Sequence, residues 1–107
     1  MAALLWNNFA TGLLDAAILA VDTTLDVGTG EGLLFPNPTG GDWVILVIED
    51  TSGNKEVVHM TAKATDTFTI LRAQEGTLAQ AFALGSRIEM RITSGFLTNM
   101  VDGGDYS

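Results

Sequence analysis

The sequence predicts an all-β domain, a small antiparallel barrel or two-layer sandwich of about five to seven strands. Three observations carry this. Apolar and polar residues alternate with a period of two in several short runs, turn-forming residues separate those runs, and helical periodicity is marginal throughout. At 107 residues, 47% of them hydrophobic and 17% charged, the chain can bury a real core without staples and is too apolar to stay disordered.

Residues 1–20 read as an N-terminal arm. Phe9, Leu13, Leu14, Ala17 and Ile18 would share one side of a short helix, but Gly12 and the Asn7, Asn8 pair weaken it. Helix and extended arm both stay open. The first clear strand is VDTTLDV, 21–27, with Val21, Thr23, Leu25 and Val27 set against Asp22, Thr24 and Asp26. GTGEGLLFPNPTGG, 28–41, holds both prolines and is a loop. The run from Trp43 to Ile48 is apolar without a break, as a central strand covered on both faces requires. TSGN, 51–54, is a tight turn, and KEVVHMTAK, 55–63, returns as the antiparallel partner.

Thr65 and Asp66 turn the chain into TFTILRA, where Phe68 and Ile70 alternate with Thr67 and Thr69. LAQAFALG, ending at Gly85, then crosses to the last strand, with Phe82 and Leu84 expected in the core and Ala79, Ala81 and Ala83 allowing close approach. RIEMRIT, 87–93, points Ile88, Met90 and Ile92 inward. The β domain thus spans 21–93. Residues 94–107 form a tail with one helical turn around Phe96, Leu97 and Met100 and a frayed end rich in Gly and Asp.

Composition narrows the function classes. A net charge of −8 repels a phosphate backbone, so nucleic acid is not an expected partner. With no cysteine, disulfides, thiolate zinc sites and cysteine nucleophiles are excluded. The opening lacks a basic region, and Asn7, Asn8 and Asp15 interrupt its apolar run short of a membrane span, so the chain is expected to be soluble, unprocessed and without a membrane partner.

Candidate chemistry is thin. His59 is the single histidine and stands on a strand face without a second imidazole, which fits a structural or surface role. GTGEG lacks the lysine and following helix of a phosphate loop, and Glu31 would repel a phosphate. Asp22, Asp26, Glu31 and Asp42 match no calcium-loop spacing, and Ser52, Ser86 and Ser94 lie outside the G-x-S-x-G frame. No catalytic, metal or cofactor-binding residue is assigned, and a non-enzymatic protein is expected.

RAQEGT reads as a structural loop: Arg72 ends a strand, Gln74 and Glu75 hydrogen-bond the turn, Gly76 frees the backbone, and Thr77 caps the start of the next segment. Apolar residues outside the strands form the candidate interface. They are Leu4, Leu5, Trp6 and Phe9 at one end, Leu33, Leu34 and Phe35 in the loop, and Phe96, Leu97 and Met100 at the other end. Such segments dock either on the domain's own core or on a partner chain.

The succession of Phe35 and Pro36, Gly41 and Asp42, Glu56 to Val58, Arg72 to Thr77, the alanine-rich Ala79 to Ala83, and Gly85 resembles a small β-rich module of tailed-bacteriophage virion proteins, often placed at the start of tail fibres. The likeness covers about residues 21–93, and NNFATGLL, with Asn7, Asn8 and Thr11, is similar to the usual opening. RAQEGT with the upstream EVV carries most of its specificity.

The resemblance implies a structural part of a virion, made in the host bacterial cytoplasm, that docks on other virion proteins (capsid, portal or tail components) as a tail-fibre or adaptor-type component. The alternative it leaves open is a capsid decoration, or cement, protein on the head. In fibres a long distal chain follows the module; this sequence ends at Ser107, so a receptor-reaching shaft is not expected of it. Virion sites impose rotational symmetry, so a homo-oligomer, by preference a trimer, is expected, with Met1 to Thr11 reaching a neighbour. A carbohydrate-binding module is a third class, for which Trp6, Trp43 and Tyr106 are the available aromatics.

Overall fold

Among the described residues, the alternating runs and part of the N-terminal stretch form six antiparallel strands that curl into a half-barrel. They are β1 (Thr11–Leu13), β2 (Thr24–Asp26), β3 (Val44–Glu49), β4 (Lys55–Ala64), β5 (Thr67–Gln74) and β6 (Arg87–Glu89), in the spatial order β1-β6-β3-β4-β5-β2. A short 3₁₀ helix, Glu31–Leu34, lies in the long loop, and one α-helix, α1 (Ser94–Asp102), follows the sheet. The structure, a computed structural model, describes residues 3–8 and 10–102, with side chains to residue 98. Phe9, the Met100 side chain, Tyr106 and the Gly- and Asp-rich end lie outside the described residues.

The two edge strands meet at one corner. Leu14 pairs with Val27, the Asp15 N–H donates to the Asp26 carbonyl at 2.8 Å, and the Gly28 N–H donates to the Leu13 carbonyl at 3.2 Å. The central run behaves as its composition requires. Val44, Leu46 and Ile48 face the inner core with Val58, Met60, Phe68, Ile70 and Ile88, while Ile45 and Val47 face a smaller outer cluster with Val57 and Phe96, edged by Leu4 and Trp43. Successive strand residues point to opposite faces, so an unbroken apolar strand needs two cores.

Over its described residues the stretch read as an arm is not helical, and much of it belongs to the sheet. β1 pairs with β6, Leu14 with Val27, and Ile18 with Phe82. Ala10, Leu14 and Ile18 are buried in the inner core. Their four-residue spacing imitates a helix because the chain dips inward at separate points.

Four sequence expectations are corrected. Val21 is 81% exposed, because Leu19 to Asp22 form a turn in which the Leu19 N–H donates to the Asp22 carboxylate at 2.8 Å and the strand begins only at Thr24. Leu84 is 67% exposed, since the chain turns there and Ser86 donates back to the Ala83 carbonyl. Ile92 is 65% exposed, because β6 stops at Glu89 and the neighbouring Arg91 is held by Glu49 and Glu89. The expected helical turn is a nine-residue helix.

The glycine-rich loop is pinned to the β4–β5 turn. The Asp66 carboxylate accepts from the Gly30 and Gly32 N–H groups at 3.1 and 2.8 Å, and Lys63 Nζ donates to the Gly32 and Phe35 carbonyls at 2.7 and 2.8 Å. A Cβ on Gly32 would lie 2.0 Å from the Thr65 carbonyl oxygen, so only glycine fits.

Candidate functional site

The motif that carries the resemblance ends β5 and opens the segment that leads to β6. Glu56 shares the inward side of β4 with Val58 and Met60, and its carboxylate is completely buried. A buried charge is tolerable only when paired and hydrogen-bonded. β5 supplies the pair: Arg72 Nε and Nη2 each donate to one Glu56 carboxylate oxygen at 2.8 Å, the bidentate fork that guanidinium geometry favours.

The remaining donors of Arg72 gather distant chain. Nη1 donates to the Leu19 and Asp22 carbonyls at 2.7 and 2.9 Å, and Nη2 to the Gln80 carbonyl at 2.7 Å. Glu56 also accepts from the Ala73 and Gln80 N–H groups at 2.9 and 3.1 Å. Burial alone would raise the Glu56 pKa, but the hydrogen bonds from Arg72, Ala73 and Gln80, with the Arg72 charge, outweigh it and hold the carboxyl below its ordinary value.

The rest of the motif shapes backbone. Ala73, Glu75 and Gly76 have left-handed φ angles of 56°, 54° and 79°. Ala73 tolerates this uncommon conformation because its N–H is fixed on Glu56. Gln74 Nε2 donates to the Arg72 carbonyl at 2.9 Å, and the Thr77 hydroxyl donates to the Gln74 carbonyl at 2.7 Å while accepting from the Val57 N–H at 3.0 Å. Glu75 departs from expectation. Its carboxylate leaves the turn and accepts from the Thr93 hydroxyl at 2.7 Å and the Gly95 N–H at 2.6 Å, at the start of α1.

The candidate interface residues divide. Phe35 is core, edge-on to Phe68 with ring centroids 5.0 Å apart, and Phe96 is buried in the outer cluster. Leu4 and Leu5 are half-buried against the two clusters. Leu33, Leu34 and Leu97 are exposed. Trp6 is 37% exposed and packs on Phe96 with centroids 4.7 Å apart. Phe9 and the Met100 side chain are not described.

Sequence reasoning missed Glu56 as the counter-charge of Arg72. The signal was its position: a glutamate in phase with the buried Val58 and Met60 demands a cation. It also missed Leu19, Leu78 and Leu84, all more than half exposed.

Elsewhere, His59 lies half-buried with its ring centroid 6.3 Å from that of Trp43. Burial lowers its pKa, opposed in part by the Glu75 charge. Among the described residues no group of three or more His, Asp or Glu side chains could hold a metal ion, and no helix is long and apolar enough to cross a membrane. A groove of about 460 Å³ beside the β3–β4 turn is lined by Leu13, Glu49, Asp50, Gly85 and Arg87 among others. Its carboxylates are engaged locally, Asp50 by Ser52 and Asn54, Glu49 by Arg91 and Lys55. Comparison with known proteins finds no family model that matches the chain and no match among curated proteins.

Proposed function

We propose that the chain is a non-enzymatic structural module of a tailed-bacteriophage virion, docking on the particle as a tail-fibre or adaptor-type component. The observation that carries this reading is the use the fold makes of its most specific motif. Arg72 and Glu56, from the RAQEGT and EVV segments of the resemblance, form one buried node that ties β4, β5, the Leu19–Asp22 turn and the crossing segment at Gln80. Motif residues so engaged support an architectural role. Leu33, Leu34 and Leu97 remain exposed for contact with other virion proteins.

The test is the copy number of this chain in purified virions, measured by quantitative mass spectrometry against the major capsid protein. A handful of copies in a symmetric multiple is expected of a tail component. Hundreds of copies would make it a decoration protein of the head, and absence from the particle would overturn the virion reading.

A further inference from the structure

The segment from Leu78 to Ala83 runs between β5 and β6 with one edge bonded to the fold and the other open. Gln80 and Phe82 turn their backbone toward the fold: the Gln80 N–H and carbonyl meet Glu56 and Arg72, and the Phe82 N–H and carbonyl pair with Ile18. In an extended chain the next residues direct their backbone groups the opposite way. Among the described residues, the N–H and carbonyl groups of Ala79 and Ala81 and the N–H of Ala83 have no hydrogen-bond partner within the protein.

That open edge carries none of the usual guards. Charged side chains and prolines protect natural edge strands from pairing with another chain, yet Leu78 to Ser86 contains neither. Leu78 is 79% and Leu84 67% exposed, and Ala81 and Ala83 are exposed between them. On a chain of net charge −8, two copies repel over most of their surface, so a contact between copies is favoured where charge is missing.

The sequence of the edge also selects its occupant. Read outward from Ala81 in both directions, LAQAFAL matches itself, alanine at 79 and 83 and leucine at 78 and 84, with only Gln80 and Phe82 unlike. An isologous contact requires the same patch on both subunits to be complementary to itself. We propose that a second copy of this chain docks on this edge, the two segments pairing antiparallel about a two-fold axis through Ala81.

In that register the two Ala81 residues exchange their N–H and carbonyl bonds, and each Ala83 N–H reaches the Ala79 carbonyl of the second copy. The Ala83 carbonyl is already taken by the Ser86 N–H and hydroxyl. The proposal does not rest on the virion reading, since it concerns the isolated chain.

Sedimentation of the isolated protein over a range of concentrations tests it. A concentration-dependent dimer is expected, and Ala81→Asp, which sets two carboxylates face to face at an exposed position, should lose that dimer with an unchanged circular-dichroism spectrum. Cysteine placement reads the register in a chain that has none of its own. Paired alanines of this kind sit with Cα atoms about 5.5 Å apart, within disulfide reach. Ala81→Cys should therefore cross-link to itself on oxidation, whereas Ala79→Cys and Ala83→Cys should cross-link only when mixed. A protein monomeric throughout, a dimer that Ala81→Asp leaves intact, or self-linking at 79 and 83 in preference to 81 would each overturn the proposal.

Discussion

The Glu56 carboxylate is fully buried and stays ionised because Arg72 and two backbone N–H groups answer it. Removing one partner of a buried pair costs about 3–5 kcal/mol, because it strands the other charge. Arg72→Ala is therefore expected to lose about that much stability at pH 7, read by urea denaturation. The pH dependence follows from the sign of the shift. In the wild type the folded pKa of Glu56 is depressed, so its contribution is present above the ordinary glutamate value and is lost as pH falls through the folded value. In Arg72→Ala the guanidinium that lowers the Glu56 pKa is gone while burial remains, so protonation is expected to relieve the folded state more readily than in the wild type. The gap between the two proteins should narrow from pH 7 to about pH 4; an equal gap at both would mean that Arg72 acts through its carbonyl contacts alone. Glu56→Gln in the Arg72→Ala background should recover part of the loss.

At the scale of an element, α1 shows a helix whose start is set from elsewhere in the chain. The Thr93 hydroxyl accepts from the Phe96 N–H at 3.1 Å, a local N-cap that the sequence contains. Glu75, on the turn after β5, adds a carboxylate on the Gly95 N–H and on Thr93 itself, at the end of the helix where negative charge is favourable. Glu75→Ala should cost about 1 kcal/mol, as loss of a cap does. The cost should appear in hydrogen exchange as faster opening of the Gly95 to Leu97 amides, with the β4–β5 amides unchanged. Uniform acceleration across the sheet would instead assign Glu75 to the stability of the turn. The helix was only partly legible in sequence because its second capping group lies eighteen residues before the hydroxyl it meets.

For the whole molecule, the inner core and the outer cluster make different demands on the N-terminus. Ala10, Leu14 and Ile18 are built into the inner core and Leu5 packs against it, whereas Leu4 and Trp6 serve the outer one: Leu4 packs on the outer cluster and Trp6 on Phe96, while the Leu5 N–H donates to the Trp43 carbonyl at 2.9 Å and the Trp43 N–H to the Ala3 carbonyl at 3.0 Å. Deleting residues 1–8 should leave a cooperatively folding barrel with a lowered melting temperature and a red-shifted Trp43 emission. Extending the deletion through Leu14 should abolish folding, and a shorter deletion that already does so would show the two clusters to be one cooperative unit. The β class, the central strand with two covered faces, and the turns at TSGN and at Thr65 and Asp66 could be read from local pattern. Period, turn chemistry and an unbroken apolar run are properties of neighbouring residues, and neighbouring residues suffice to express them. The sequence by itself determined those features. Only the tertiary structure decided that Arg72 answers Glu56, that Glu75 leaves its turn for α1, that the N-terminal stretch becomes a sheet edge, and that Val21, Leu84 and Ile92 face solvent. Each of these depends on where chain closure brings distant segments, and a period of two says which side a residue takes without saying where the strand stops.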